Sequence, residues 1–368
     1  MTAAIEDLAG ALVAWLSERT GMDDIAVSGF ARPAAGQSSD NVLFDATFGG
    51  RTDHLVIRRQ ADQSTIFLDP DVAREARVLQ GLSAAGVRVP NVRWIEPDPS
   101  ILGAPFFIMD RVEGRVPLGK PSIHTAGWLP SLTTAERERL WSSALDALVS
   151  VHHVPWRSTH GFLLNGDQDA ATVDAHVAAL ADWYRWTTGE RSYPITDAAL
   201  AYLEENLAEV DPGEPVLLWG DPRVGNIIFG SDNTVAAAVD WETASIGPAG
   251  RDVAHWLFFD EFQTLAVGIE RLPGWPDRHT TIAAYEARSD RRLGDLDFFD
   301  VMESLFMATT LIRQADRRVA MGLSVPGNRM GHDNTVTQML ARKLDLAAPP
   351  LSPDYIAHRG GPSATIQK

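Results

Sequence analysis

Three polar residues are spaced as phosphoryl transfer would need them. The run Trp219-Gly220-Asp221-Pro222-Arg223-Val224-Gly225-Asn226 reads as a rigid loop, and Asp240 follows fourteen residues after Asn226, in Val239-Asp240-Trp241-Glu242. Moving a phosphoryl group asks little covalent chemistry of a protein. It asks for a carboxylate near the attacking hydroxyl, oxygen ligands for Mg²⁺ and positive charge on the transferring group. Asp221 and Asn226, five residues apart, can supply the carboxylate and a neutral oxygen ligand. Asp240 can offer a hard cation an anionic oxygen. Any one of them alone is an ordinary turn-forming residue. The joint spacing, with a hairpin between, singles them out.

That hairpin is PVLLWGDPRVGNIIFGSDNTVAAAVDWE, two apolar runs flanking the turn residues Gly230-Ser231-Asp232-Asn233. It interrupts a mostly helical region with 3.6-residue periodicity over 133–154, 171–188, 195–210, 250–267, 277–290 and 295–321. The first third differs. A helix over 5–19, with Leu8, Leu12, Trp15 and Leu16 at helical spacing, precedes AVSGFA, NVLFDATF and HLVIRR, which suit antiparallel hairpins. A capped helix in DPDVAREARVLQGLSAAG follows, and then VPNVRWIEP and PFFIMDRVEG return to strand character. The expected organisation is α+β: an N-terminal helix at 1–24, a small antiparallel-sheet lobe at 25–113, a large helical lobe carrying the hairpin at 114–346, and a flexible tail at 347–368.

The 368 residues carry a net charge of −17 and no cysteine. The charge opposes nucleic-acid phosphates and anionic lipid, and the missing thiols exclude disulfides and thiolate metal sites. No apolar run approaches membrane-spanning length, and the acidic N-terminal stretch lacks a basic leader. A cytoplasmic protein with neither nucleic-acid nor membrane partners is expected, its oligomeric state open.

The loop and hairpin residues resemble the aminoglycoside phosphotransferase and choline kinase-like family, which shares the protein-kinase fold. The family pattern of His-Gly-Asp, four residues, Asn, then Asp on the next strand is similar to Asp221, Asn226 and Asp240 here. Within the family, VIRRQ, GDPRVGN and VDWETASIGPAGRDVAHWL resemble the branch associated with acyl-CoA dehydrogenase-like hydroxyacyl kinases. The resemblance spans about residues 25–320 and is most specific over 217–256. It implies a protein-kinase-like two-lobed fold and transfer of the γ-phosphoryl group of ATP, with Mg²⁺, to a small-molecule hydroxyl. Asp221 would position and deprotonate that hydroxyl, and Asn226 and Asp240 would hold Mg²⁺. Trp219 replaces the usual histidine, which puts local loop packing in question.

Arg223 stands two positions after Asp221, where protein kinases commonly place a lysine that touches the γ-phosphate. A guanidinium there could steady the transferring group, or simply be solvated. In the small lobe, alternation puts Val56 and Arg58 on one face of a strand. The family holds the α- and β-phosphates with a basic residue at this place, paired to a glutamate on the next helix, here Glu75. Arg59 and Arg74 are rivals, and a solvated surface is the plain alternative. Ala35-Gly36-Gln37-Ser38-Ser39-Asp40-Asn41 is similar to the family's phosphate loop, with Ser38 and Ser39 facing phosphate oxygens. Phe106–Arg111 resembles the interlobe hinge, where backbone groups around Met109 and Arg111 would meet adenine. Asp252 resembles an aspartate that braces the catalytic loop, and its alternative is an N-terminal helix acid. His152 and His153 read as packing or capping residues. Trp183-Tyr184-Arg185-Trp186 and Phe258-Phe259-Asp260-Glu261 are candidates to line the acceptor, although aromatics at helical spacing are more often core. Acids there would suit a polycationic aminoglycoside, whereas the branch resemblance suggests a hydroxyacyl metabolite. The competing function class is a nucleotide-binding pseudokinase with a regulatory role.

Overall fold

The computed structural model describes residues 5–32, 40–60, 66–117 and 119–359. The chain opens with helix Ile5–Thr20 (α1) and strands Ile25–Ala31 (β1), Asp40–Phe48 (β2) and Arg51–Arg59 (β3). Helix Val72–Ala84 (α2), strand Val92–Glu96 (β4), the short helix Pro99–Leu102 (α3) and strand Phe106–Asp110 (β5) follow. The strands form one antiparallel sheet in the order β1-β2-β3-β5-β4. Its register is set at Gly49-Gly50, where both residues take positive φ, 53° and 85°. A two-residue hairpin requires that conformation, and it brings Phe48 opposite Arg51 and Asp40 opposite Arg59.

Strand alternation then sorts the side chains. Leu55 and Ile57 of β3, with Val42, Phe44 and Ala46 of β2 and Phe106 and Ile108 of β5, pack against Leu12, Trp15 and Leu16 of α1. Full burial of each leucine stabilises the fold by about 1.5–3 kcal/mol. Val56 and Arg58 face the other way, and Arg58 meets α2. That helix starts where the Asp71 carboxylate accepts the N–H of Arg74, 2.9 Å away, as a capping aspartate should.

The second half supplies helices Thr134–His152 (α4), Trp156–Thr159 (α5), Val173–Thr188 (α6) and Pro194–Asn206 (α7), then strands Pro215–Leu218 (β6), Ile227–Phe229 (β7), Val235–Ala238 (β8) and Ser245–Pro248 (β9). It ends with helices Ala249–Gln263 (α8), Arg278–Ser289 (α9), Asp297–Ala320 (α10), Thr335–Lys343 (α11) and Pro353–His358 (α12). The six long periodic stretches of the sequence are all helices. Thr133 starts α4 with a capping box: its side chain accepts from the N–H of Glu136, which reaches back to the Thr133 N–H. Phe258 of α8, Leu311 and Ala315 of α10, Val336 and Met339 of α11 and Tyr355 of α12 share one core cluster. In the segment expected as a flexible tail, Ser352 caps α12 and Tyr355 is 2% exposed. Burying a ring offsets the entropy of ordering those residues.

The chain divides into two compact units, one of residues 1–114 with 236–242, the other of 115–235 with 243–368. In the smaller unit the returning segment is tied by the Ala238 N–H donating to Arg88 O at 2.8 Å and by Trp241, 1% exposed.

Candidate active site

In the larger unit β6 pairs antiparallel with β9, Leu218 opposite Ser245 and Pro215 opposite Pro248, so the loop that leaves β6 lies beside the residues that enter β9, and Asp252 of α8 bonds to it. The Asp252 carboxylate in the first turn of α8 accepts the N–H groups of Trp219 at 2.7 Å and Gly220 at 3.0 Å. His152 Nε2 lies 3.1 Å from the same carboxylate, and its Nδ1 is 2.6 Å from the Tyr285 hydroxyl. Asp252 therefore anchors the loop backbone, and Trp219 is fully buried beneath it. Gly220 has a φ of +88°, and a Cβ there would collide with the Thr243 carbonyl oxygen. Gly220→Ala should therefore lose more than about 1 kcal/mol of stability in urea denaturation. A neutral result would mean that the loop relaxes freely.

Asp221 follows, and three side chains converge on its carboxylate. Arg223 Nε lies 3.0 Å from Oδ1 and 3.1 Å from Oδ2, Asn226 Nδ2 donates to Oδ2 at 2.7 Å, and His255 Nε2 lies 2.8 Å from Oδ1. Burial pushes the carboxyl pKa up, but Arg223, His255 and Asn226 prevail and bring it down to about 2. Asn226 directs its amide N–H groups to the Asp221 carboxylate and, at 2.9 Å, to the Asp221 carbonyl, leaving its amide oxygen as the atom it can offer a cation. Arg223 also lies 5.0 Å from the centre of the Phe259 ring.

His255 and Glu303 are the members of this arrangement that sequence reasoning missed. His255, three residues after Asp252, is fully buried, and its Nδ1 lies 2.9 Å from Glu303 Oε2. Burial pushes the imidazole pKa down, but the two carboxylates overcome it and raise it to about 9. Arg251 Nε donates to the other Glu303 oxygen at 2.7 Å and contacts His176, whose Nε2 faces the Ile246 carbonyl at 2.8 Å. The readable signal was an acid on the apolar face of α10, an expensive placement unless the acid is paired.

In the smaller unit Arg58 is 5% exposed and surrounded by three carboxylates. Its Nε donates to Glu75 at 2.6 Å, and one terminal nitrogen lies 3.3 Å from Glu242 and 3.5 Å from Asp240. Burial disfavours its charge, but Glu75, Asp240 and Glu242 hold it protonated beyond the ordinary arginine range. Burial and nearby Asp240 raise the Glu75 pKa despite Arg58. Asp240 takes a φ of +69°, rare for a residue with a side chain. The rivals are engaged elsewhere: Arg59 bonds Asp40 and, at 2.8 Å, the Leu102 carbonyl, and Arg74 reaches the Asp69 carbonyl at 3.2 Å.

Ser38 and Ser39 lie outside the described residues. Met109 sits in β5 between β3 and β4, and the Arg111 N–H donates to His54 O at 2.9 Å. Trp183 and Tyr184 are buried, Trp186 is exposed with Arg313 over its ring, and Phe259 lies 5.2 Å from the His255 ring. Asp260 pairs with Arg271 at 2.5 Å, and Glu261 with Lys343 at 3.3 Å. His153 meets the Ser289 carbonyl at 3.2 Å. No group of three His, Cys, Asp or Glu side chains among the described residues could hold a metal unaided, and no described helix is long and apolar enough to cross a membrane.

The sequence profile of the phosphotransferase enzyme family matches residues 29–288. The chain belongs to this family. Among curated relatives, acyl-CoA dehydrogenase family member 11 of Rattus norvegicus is 26% identical over 343 residues, covering 90% of this chain and 42% of the relative. Family member 10 of Mus musculus is 28% identical over 204 residues, 55% of this chain and 18% of the relative. The chain thus spans less than half the length of these relatives. Solved structures share the fold of the phosphotransferase family member described here. A thermostable mutant of the aminoglycoside phosphotransferase APH(4)-Ia, in complex with ADP and hygromycin B, has a TM-score of 0.55 at 16% identity, covering 90% of this chain and 98% of its own. A choline/ethanolamine kinase family protein of Mesorhizobium loti has a TM-score of 0.55 at 14% identity, covering 96% and 98%. Both support a protein-kinase-like α+β fold.

Proposed function

We propose that the chain transfers the γ-phosphoryl group of MgATP to a hydroxyl of a small molecule. The observation that carries this reading is Asp221, a carboxylate kept ionised by three donors in a loop that also holds Asn226 and Arg223. With its pKa near 2 it is a weak base. It would orient the acceptor hydroxyl and receive its proton late, which a loose transition state permits. Arg223 would steady charge on the transferring group. Arg223→Gln should then cost about a hundred-fold in turnover, and unchanged turnover would remove Arg223 from the reaction.

Arg58, held in place by Glu75, would face the α- and β-phosphates, with Ser38 and Ser39 at the phosphate oxygens and the backbone near Met109 and Arg111 at the adenine edge. The donors present fit a divalent cation: one guanidinium stands among three carboxylates, an excess of negative charge, and Asn226 has an amide oxygen to give. Asn226 and Asp240 would hold Mg²⁺, which when bound neutralises charge on the phosphate oxygens. The structure supports a hydroxyacyl acceptor over an aminoglycoside-like polycation. Asp260 and Glu261 are already paired with basic groups, and Phe259 presents a ring beside the partners of Asp221.

An ADP-release assay over hydroxyacyl thioesters, aminoglycosides and amino alcohols tests the proposal. ADP release with a hydroxyacyl compound is expected. Failure of MgATP to bind would overturn the reading, and turnover of aminoglycosides alone would overturn the acceptor.

A further inference from the structure

We infer that His255 is a positioning residue, an imidazolium clamped between Asp221 and Glu303 that ties the reacting carboxylate to the helical scaffold. The inference rests on the phosphotransfer reading above for its functional half. Its structural half stands on bond geometry. Against the effect of burial, the Arg251 guanidinium 2.7 Å from Glu303 and the Arg223 guanidinium 3.0 Å from Asp221 hold both carboxyls below the ordinary carboxylate range, so at neutral pH both are ionised and can only accept. Both nitrogens of His255 face these carboxylates, at 2.8 and 2.9 Å. Each nitrogen must therefore carry a proton, and the ring must be charged.

The placement explains why a histidine is useful there. Arg223 and Asn226 sit in the same loop as Asp221 and would move with it. His255 comes from α8 and Glu303 from α10, so this one side chain couples the carboxylate to two packed helices. The ring is fully buried, with Phe259 and Phe306 centroids 5.2 and 6.0 Å away, which blocks reorientation. The titratable and charged groups around it are Asp221 and Arg223 from the loop, Glu303 from α10, Arg251 and Asp252 from α8, and His176 of α6 behind Arg251. Loss of the proton would leave one ring nitrogen bare against a carboxylate, a repulsive contact that frees Asp221 to turn. Because the folded-state pKa lies above the ordinary histidine value, the stability the clamp contributes is fully present below about pH 6.5 and is lost as pH rises through about 9, where the folded ring gives up its proton.

Nitrogen-15 NMR of histidine-labelled protein tests the charge without any assay of activity, the His255 signals being assigned by their loss in His255→Gln. Both ring nitrogens should be protonated near neutral pH, and a bare nitrogen would overturn the inference. In kinetics, His255→Gln should lower kcat about ten- to a hundred-fold, the scale of outer-shell supports, with KM for MgATP unchanged. Glu303→Gln keeps the shape but removes one carboxylate, so the alkaline decline of kcat should move to lower pH, as should the imidazole titration read by NMR. An alkaline limb that stays in place would overturn the positioning role, even where His255→Gln fails to fold. If wild-type protein transfers no phosphoryl group, the proposed reaction fails, while the protonation state of His255 seen by NMR still decides the structural half.

Discussion

Asp221→Asn should reduce phosphoryl transfer by about two to four orders of magnitude while leaving MgATP binding largely intact. The substitution is nearly isosteric, so the loop braced by Asp252 should persist. What changes is the electrostatics. His255, Asn226 and Arg223 all present N–H donors to this position, and an amide NH₂ must turn toward at least one of them. The acceptor hydroxyl then loses its ionised partner. Coupled ADP release measures the rate, and titration calorimetry with MgATP measures binding. Activity within ten-fold of wild type would remove Asp221 from the centre of the reaction.

Arg58→Met should destabilise the protein by about 3–5 kcal/mol, the usual cost of removing one member of a buried ion pair. Glu75 is 4% exposed and would keep its burial without its cation, while Asp240 and Glu242 would lose the charge between them. The added Glu75→Gln change should recover part of the loss, because an uncharged amide tolerates burial better. Urea denaturation of the two single variants and the double variant closes the cycle. A loss below about 1 kcal/mol for Arg58→Met would mean that water reaches the cluster.

Alternation made much of the smaller unit legible before its structure. Once Leu55 and Ile57 face α1, Arg58 must face α2, and this separates it from Arg59 without further information. The long helices were legible for the same reason of period. Helix α11 was not. It begins Thr335-Val336-Thr337, β-branched residues of low helix propensity, and forms because Asn334 caps it and Val336, Met339 and Leu340 are buried. Tertiary burial overrides local preference there. The Asp221–Asn226 spacing was readable within one short loop, whereas the His255–Glu303 contact joins residues 48 positions apart on two helices. Only the packing of α8 on α10 brings them together. The odd feature in the sequence was the set Asp300, Glu303 and Ser304 on the buried face of a helix whose neighbouring positions are apolar.

Residues 236–242 belong to the smaller unit although 121 residues of the larger one, 115–235, come before them. A chain synthesised from its N-terminus presents β1 to β5 long before Trp241 emerges to donate its N–H to Glu75, 3.4 Å away, and before Asp240 and Glu242 reach Arg58. Until residues 236–242 have left the ribosome, the Arg58–Glu75 pair stays open to water on the side that this segment later covers. A fragment ending near residue 114 would lack this segment altogether, and its charge cluster would stay incomplete.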